Sequence, residues 1–330
     1  MRFYITLQFN KIVILATIGN DINLAKQFLS QGKLVAIATE TVYGLAGNAL
    51  DEKAVLSIFE VKKRPSFDPL IIHIDSIDKL ESYVIHIPEK AQELARAFWP
   101  GPLTLLLPKK PIIPDLVTSG LDHVAVRIPN HPLTLELLRQ LDFPLAAPSA
   151  NLFGYISPTT AAHVQAQLGE KIPYILDGGE CGVGIESTIV GFIDDVPTIY
   201  RLGGLEISEI EKVTGKVNIM PHSSSNPQAP GMLKSHYSPR KPFFLKSKEE
   251  FADMNERTGV LLFDQTNYNK NVKYQRILSK TGDLKEAAHH LFAYLRELDL
   301  MPVDEIWAEK VPDYGLGLAI NDRLKRAAAI

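Results

Sequence analysis

A chain of 330 residues exceeds what one hydrophobic core ordinarily supports, so a domain of ordinary size followed by a smaller one is expected. With 45% hydrophobic and 22% charged residues the composition is globular, which excludes a fibrous or disordered chain, and a net charge of −3 argues against one large nucleic-acid footprint. The single cysteine, Cys181, excludes an intramolecular disulfide and any zinc site needing two or more thiolates, as a reducing cytoplasm would have it.

The apolar stretch over 3–18 is broken by Gln8, Asn10 and Lys11, so it neither spans a membrane nor carries a cleavage signal. Residues 11–16 read as a first buried strand or its approach, and residues 1–10 carry no assignable role. Asn20 or Asp21 caps a helix through Gln31, which Gly32 ends. A strand follows over 33–38, and Asp51 caps a helix with Val55, Ile58 and Phe59 on its apolar side. Residues 70–74 form another apolar run, and Pro88 opens a helix through Phe98. Runs at 103–107, 124–128, 145–147, 174–176, 188–193 and 198–200 supply the strands of a large sheet. Some lie too close in sequence for helical crossovers, so the sheet should be mixed.

Between Lys216 and Pro242 the chain loses periodicity and gathers Ser, Asn, Pro and Gly, the composition of a linker. Beyond it, a strand over 259–263 and helices over 283–298 and 318–329 outline a small second α/β domain. No Walker-type loop, dinucleotide fingerprint, zinc helix or nucleophile elbow is present.

The chemistry gathers instead at strand ends, where α/β sheets collect ligands. Thr39-Glu40-Thr41-Val42-Tyr43-Gly44-Leu45 follows a buried strand; Thr41 offers a hydroxyl there, or merely caps the strand. Lys62, Lys63 and Arg64 stand before Asp68 and His73; they suit a polyphosphate, or a solvated basic helix end. His73 lies in an apolar run that would also suit a core histidine. Pro148-Ser149-Ala150-Asn151 and Ser157-Pro158-Thr159 supply hydroxyls and an amide, and Glu186-Ser187-Thr188 and Arg201-Leu202-Gly203-Gly204 again close strands. The recurrence is more telling than any one segment.

In order and spacing these segments resemble the threonylcarbamoyl-AMP synthase family (YrdC-like), in its long form with an appended C-terminal domain. Ala229-Pro230-Gly231-Met232 through His236-Tyr237-Ser238-Pro239 is similar to that form's interdomain segment, and Leu316-Gly317-Leu318-Ala319-Ile320-Asn321-Asp322-Arg323-Leu324 to its terminal helix signature. The resemblance implies an α/β fold: a twisted mixed-sheet catalytic domain over 11–215 around a positively charged cavity, a linker or lid over 216–241, and a smaller Rossmann-like domain over 242–330. It implies an L-threonine pocket of Thr41, His73, Arg127, Ala147 and Ser187. An ATP side of Arg64, Asp68, His123, Ser149, Asn151, Ser157 and Arg201 is implied as well, with Lys62 and Arg64 catalytic and His236 or Tyr237 closing over the nucleotide. Three positions depart from the family pattern: His123 where threonine is common, Leu202 where proline is, and Asp68 where asparagine is frequent.

The implied reaction joins L-threonine, bicarbonate and ATP, with Mg2+ on the nucleotide, into threonylcarbamoyl-AMP and pyrophosphate for a downstream tRNA threonylcarbamoyl transferase. A weak tRNA contact would be compatible with it; a membrane role would not. The rival readings are an RNA-binding module of the same fold, a carbamoyl-transfer module of hydrogenase maturation, whose paired-cysteine zinc motifs one cysteine cannot supply, and a purely structural ATP-binding regulator.

Overall fold

The computed structural model describes residues 15–220, 227–233, 236–247, 249–267, 269 and 272–329. The assignments for 1–10, for most of the strand over 11–16 and for linker residues 221–226 lie outside the described residues.

In chain order the first part runs β1 (Thr17–Gly19), α1 (Ile22–Ser30), β2 (Val35–Ile37), β3 (Gly44–Asn48), α2 (Glu52–Lys62), β4 (Ile71–His73), α3 (Glu89–Phe98) and β5 (Leu103–Pro108). It continues with α4 (Asp115–Thr118), β6 (His123–Arg127), α5 (Pro132–Arg139), β7 (Leu145–Ala146), α6 (Ala161–Leu168) and β8 (Tyr174–Leu176). The hairpin β9 (Thr188–Ile193) and β10 (Val196–Arg201), then α7 (Ile207–Thr214) and β11 (Asn218–Ile219), complete it. The second part holds β12 (Phe243–Leu245), β13 (Thr258–Leu262), β14 (Gln275–Ile277), α8 (Leu284–Leu300), β15 (Glu305–Ala308) and α9 (Gly317–Ala327).

Local chemistry sets the helix starts. Asp21 accepts hydrogen bonds from the amides of Asn23 and Leu24, Asp51 from that of Lys53 and Asp283 from that of Glu286, satisfying orphan donors of α1, α2 and α8. Lys63 ends α2 in the left-handed region, with φ of 53°, and so turns the chain toward Arg64.

The large sheet has eleven strands in the order β1-β8-β2-β3-β7-β4-β6-β5-β9-β10-β11. It is mixed: β4 pairs with β6 in parallel, while β7, β5 and β10 run antiparallel to β4, β6 and β9. Side chains alternate across it. Ile72, Val126, Leu105 and Val190 enter the main core, whereas Ile71, Ala125, Leu106 and Ile189 face the other way and receive Ala229 and Met232 of the linker. The stretch over 39–45 is not only a strand end: after a turn it starts β3, whose Gly44 and Gly47 lack the bulky side chains that mark a strand.

The small sheet is wholly parallel, ordered β12-β15-β13-β14, with α8 and α9 packed together on one face. It is docked on the large unit: Arg296 of α8 donates to the carbonyls of Ser157 and Ile156, and the Tyr155 hydroxyl donates to Asp299 at 2.6 Å. Among the described residues no helix is long and apolar enough to cross a membrane.

Candidate active site

Because β7, β4, β6, β5 and β9 lie side by side in the large sheet, their ends bring distant residues to one cavity. Its wall includes Thr41, His73, Arg127, Ala147 and Ser187, together with Arg64, Ser149, Arg201, His236 and Tyr237.

Arg127, at the end of β6, is buried and fully engaged. Its Nη1 donates to the Thr41 hydroxyl at 2.9 Å, its Nη2 to Glu40 Oε1 at 2.6 Å and its Nε to the Gly101 carbonyl at 3.2 Å. Glu40 in turn accepts from the Asn130 amide at 2.9 Å, so the guanidinium is held rigidly with its fork beside the Thr41 hydroxyl. Thr39 braces that turn, its hydroxyl donating to the Val42 carbonyl at 2.7 Å and lying 2.8 Å from the Thr41 hydroxyl.

Two further guanidiniums line the cavity. Arg64 donates from Nε to the Asp68 carbonyl at 2.9 Å and from Nη2 to the Pro69 carbonyl at 2.7 Å, and pairs with the Asp68 carboxylate at 3.0 Å. Arg201 reaches back along β10 to the Ser187 carbonyl and hydroxyl, both 3.0 Å from Nη2. The Ser187 hydroxyl also meets that of Thr104 at 2.7 Å. Burial brings Arg201 down to about 10, still charged at neutral pH. The turn after it needs a glycine: a Cβ on Gly203 would lie 2.4 Å from the Glu186 carbonyl oxygen. Leu202, in place of the family's proline, leaves that constraint untouched.

Other predicted residues stand behind the wall. Lys62 donates from Nζ to the carbonyls of Ser149 and Asn151, fixing the serine-asparagine turn; burial and the adjacent Arg64 charge hold its ammonium well below the usual range. Asn151 closes the same turn on the carbonyls of Leu152 and Tyr155, both at 2.8 Å. Ser157 donates to Glu186 at 2.6 Å. His123 is exposed at the far end of β6 and lines a neighbouring cleft with Tyr200 and Gln228.

Glu186 was not singled out as a site residue, yet it lines the cavity and ties it to the second domain. Arg323 of α9 donates to Glu186 Oε2 at 3.0 Å and to the Leu202 carbonyl at 2.7 Å, and pairs with Asp322 at 2.6 Å. Burial pushes the Glu186 carboxyl up, but Arg323 and Arg201 outweigh it and hold it below the usual range. The sequence offered one signal: a charged residue within a buried strand-end motif needs a partner.

The linker forms the roof. Gly231, with φ of 74°, turns it past Arg201, and the Pro230 carbonyl accepts from Arg201 at 3.3 Å. Tyr237 also has a left-handed backbone, φ 66°, a conformation a bulky residue keeps only when its surroundings hold it there. Arg323 and Arg326 stand 5.0 and 4.7 Å over its ring, and Phe292 stacks on it at 5.4 Å. His236 lies 4.1 Å from the Tyr237 ring and 5.6 Å from that of Phe153.

His73 carries a pH consequence. Burial, reinforced by Arg127, brings its imidazole from the ordinary 6.5 down to about 3. Between those values the unfolded chain takes up a proton that the folded one refuses, so stability falls as pH drops from about 6.5 toward 3. His73→Gln should flatten that loss by on the order of 2 kcal/mol between about pH 7 and pH 4.5, read from urea midpoints at each pH. Equal slopes for the two proteins would show that His73 is not the group responsible.

With this geometry in view, two family models match the chain: Sua5_yciO_yrdC, described as telomere recombination, over residues 27–203, and Sua5_C, the threonylcarbamoyl-AMP synthase C-terminal domain, over 205–329. The threonylcarbamoyl-AMP synthase of Pyrococcus abyssi is 44% identical over 93% of this chain and 94% of its own length. That of Bacillus subtilis is 41% identical over 95% and 94%. The crystal structure of Pyrococcus abyssi Sua5 complexed with L-threonine superposes with a TM-score of 0.86 at 42% identity, covering 96% of this chain and 97% of that one. Matched along nearly its whole length by such relatives and through both of its sheets by the family models, the chain belongs to the Sua5/YciO/YrdC family, in its two-domain threonylcarbamoyl-AMP synthase form.

Proposed function

We propose that the protein is an L-threonylcarbamoyladenylate synthase whose catalytic unit spans 11–215, whose linker over 216–241 is a lid, and whose C-terminal domain spans 242–330. The observation that carries this is the gathering of buried guanidiniums around one cavity in two sets, Arg127 bonded to the Thr41 hydroxyl and Arg64 with Arg201. The first set suits an amino-acid carboxylate and hydroxyl, the second a triphosphate. The relatives named above are threonylcarbamoyl-AMP synthases, and the solved Pyrococcus abyssi structure holds L-threonine.

In this reading the neutral amine of threonine and bicarbonate give a carbamate and water. A carbamate oxygen then attacks the α-phosphorus in line; the new P–O bond forms as the bond to the β-phosphate oxygen breaks, and pyrophosphate leaves. No side chain need become covalently attached. Arg127, Thr41 and Ser187 hold threonine, with Ala147 and His73 shaping the space beside it. Arg64 and Arg201 meet the phosphate charge, and Lys62 keeps the turn at Ser149 and Asn151 in place. Asp68 and Ser157 complete the proposed ATP side through the residues they hold, whereas His123, at the opposite end of β6, lines a separate cleft and is left out of it.

Among the described residues no cluster of three metal-binding side chains occurs, but magnesium bound mainly by phosphates needs only one or two carboxylates. Asp68 does not fit as one of them: it is fully buried, its Oδ2 is paired with Arg64 at 3.0 Å and its Oδ1 faces the Gly231 amide. Buried arginines in a roofed cavity favour a small anionic substrate over an RNA backbone, which argues against the RNA-binding module. The product would serve a tRNA threonylcarbamoyl transferase in the cytoplasm.

With His236 and Tyr237 seated as described, the cavity has a volume of about 50 Å³, far below the ~300–1,000 Å³ of ordinary small-molecule sites. The roof must therefore shift for ATP to enter, and its return would keep water from the adenylate. Mass spectrometry of a reaction with threonine, bicarbonate and ATP should find threonylcarbamoyl adenylate, with pyrophosphate release requiring threonine and bicarbonate together. Equal release from ATP alone would mean simple hydrolysis. The double variant His236→Ala with Tyr237→Ala should shed the adenylate faster; normal retention would remove the lid from the proposal.

A further inference from the structure

The small sheet has a second place where a ligand fits, which shares no residue with the cavity above. In a parallel sheet, ligands settle at the carboxyl ends of two adjacent strands whose following segments leave toward opposite faces. Neighbours β12 and β15 meet that condition. After β12 the chain passes to a short 3-10 turn, Glu250–Asp253, whose Phe251 packs on Trp307, Val260 and Leu262. After β15 it passes to α9, which packs with α8 on the opposite face, where Leu261, Ile306 and Ala308 point.

A cleft of about 510 Å³ opens at that point, within the range of nucleotide-sized sites. Leu245, Lys246 and Ser247 line it from the end of β12, Glu309 and Lys310 from the end of β15, and Lys325 from the last turn of α9. Three lysines thus converge from three separate segments. Lys246 is partly committed, 2.9 Å from Glu250 and 4.8 Å over the Trp307 ring. Glu309 turns one carboxylate oxygen to the Phe263 amide on the adjoining strand end, at 2.5 Å. Lys310 and Lys325 are exposed and meet no hydrogen-bond or ion-pair partner among the described residues.

We propose that this crevice binds a phosphate-bearing small molecule of nucleotide size, Lys310 and Lys325 meeting the phosphate as compact charges and Leu245 with the lysine stems offering an apolar wall. The site gives the second domain a ligand of its own.

The test is site-resolved lysine acylation of the full-length chain, read by mass spectrometry, with AMP, inorganic phosphate, adenosine and bulk tRNA as probes. Millimolar AMP should lower acylation of Lys246, Lys310 and Lys325 several-fold, more than inorganic phosphate does, and leave exposed Lys212 and Lys285 unchanged. The peptide-level readout separates this from binding in the large cavity. In the variant Lys310→Glu with Lys325→Glu, AMP should no longer protect Lys246, while turnover of threonine and ATP persists. No protection by any probe, protection by adenosine equal to that by AMP, phosphate as effective as AMP, or protection by tRNA alone would each overturn the proposal.

Discussion

Arg127→Ala is expected to lower threonine affinity by on the order of 10²- to 10³-fold while leaving ATP affinity within about threefold of normal. The guanidinium sits rigidly beside the Thr41 hydroxyl, braced by Glu40 and the Gly101 carbonyl, so it meets a carboxylate without ordering cost. Truncation removes that fork and leaves Glu40 without its 2.6 Å partner. Arg127→Lys keeps the charge but not the paired donors, and should fall between the two proteins. Calorimetric titration of each ligand, on variants whose circular dichroism is intact, gives the comparison. A loss of ATP affinity with threonine binding unchanged would reverse the assignment of the two sides of the cavity.

Arg323→Met should destabilise the protein by roughly 3–5 kcal/mol, because it strips a fully buried carboxylate of its principal cation. Arg323 serves Glu186, Asp322 and the Leu202 carbonyl at once and lies over the Tyr237 ring, so no neighbour can take its place. Melting should fall by on the order of 10 °C. Adding Glu186→Gln should recover much of that loss, since the orphaned charge is then gone. Unchanged melting in the single variant would show that the pair is not what joins α9 to the cavity.

Much of this was legible in the residues themselves. Helices announced by Asp21, Asp51 and Pro88 lie where those residues imply, and the apolar runs at 103–107, 174–176 and 188–193 became β5, β8 and β9. Short-range signals sufficed there, because capping and alternation are local. Less legible was β3, whose glycines carry no strand propensity and whose pairing with β2 and β7 comes only from the assembled sheet. In the site, Thr41, Arg127, Ser187 and Arg201, which the resemblance implies, line one cavity, but Glu186 lines it too and was not among the residues implied. Which of the implied residues stand behind the wall was not legible: Lys62 and Ser157 are spent on the Ser149 carbonyl and on Glu186, partners many positions away. His123 shares a strand with Arg127 but sits at its opposite end. Glu186 could be placed only once α9, far along the chain, was seen to carry its counter-charge.

That last connection has a bearing on how the molecule is made. Arg323 follows Glu186 by 137 residues, so at ribosomal speeds of ~5–20 residues per second the acid emerges roughly 7–27 s before its cation. Throughout that interval the large sheet can pair its strands, yet Glu186 has only Arg201 and the Ser157 hydroxyl beside it, and the helix whose Arg323 and Arg326 lie over Tyr237 is missing. A chain cut short before that helix should accordingly be less stable than the full-length chain, with a larger unfolded fraction open to chaperones.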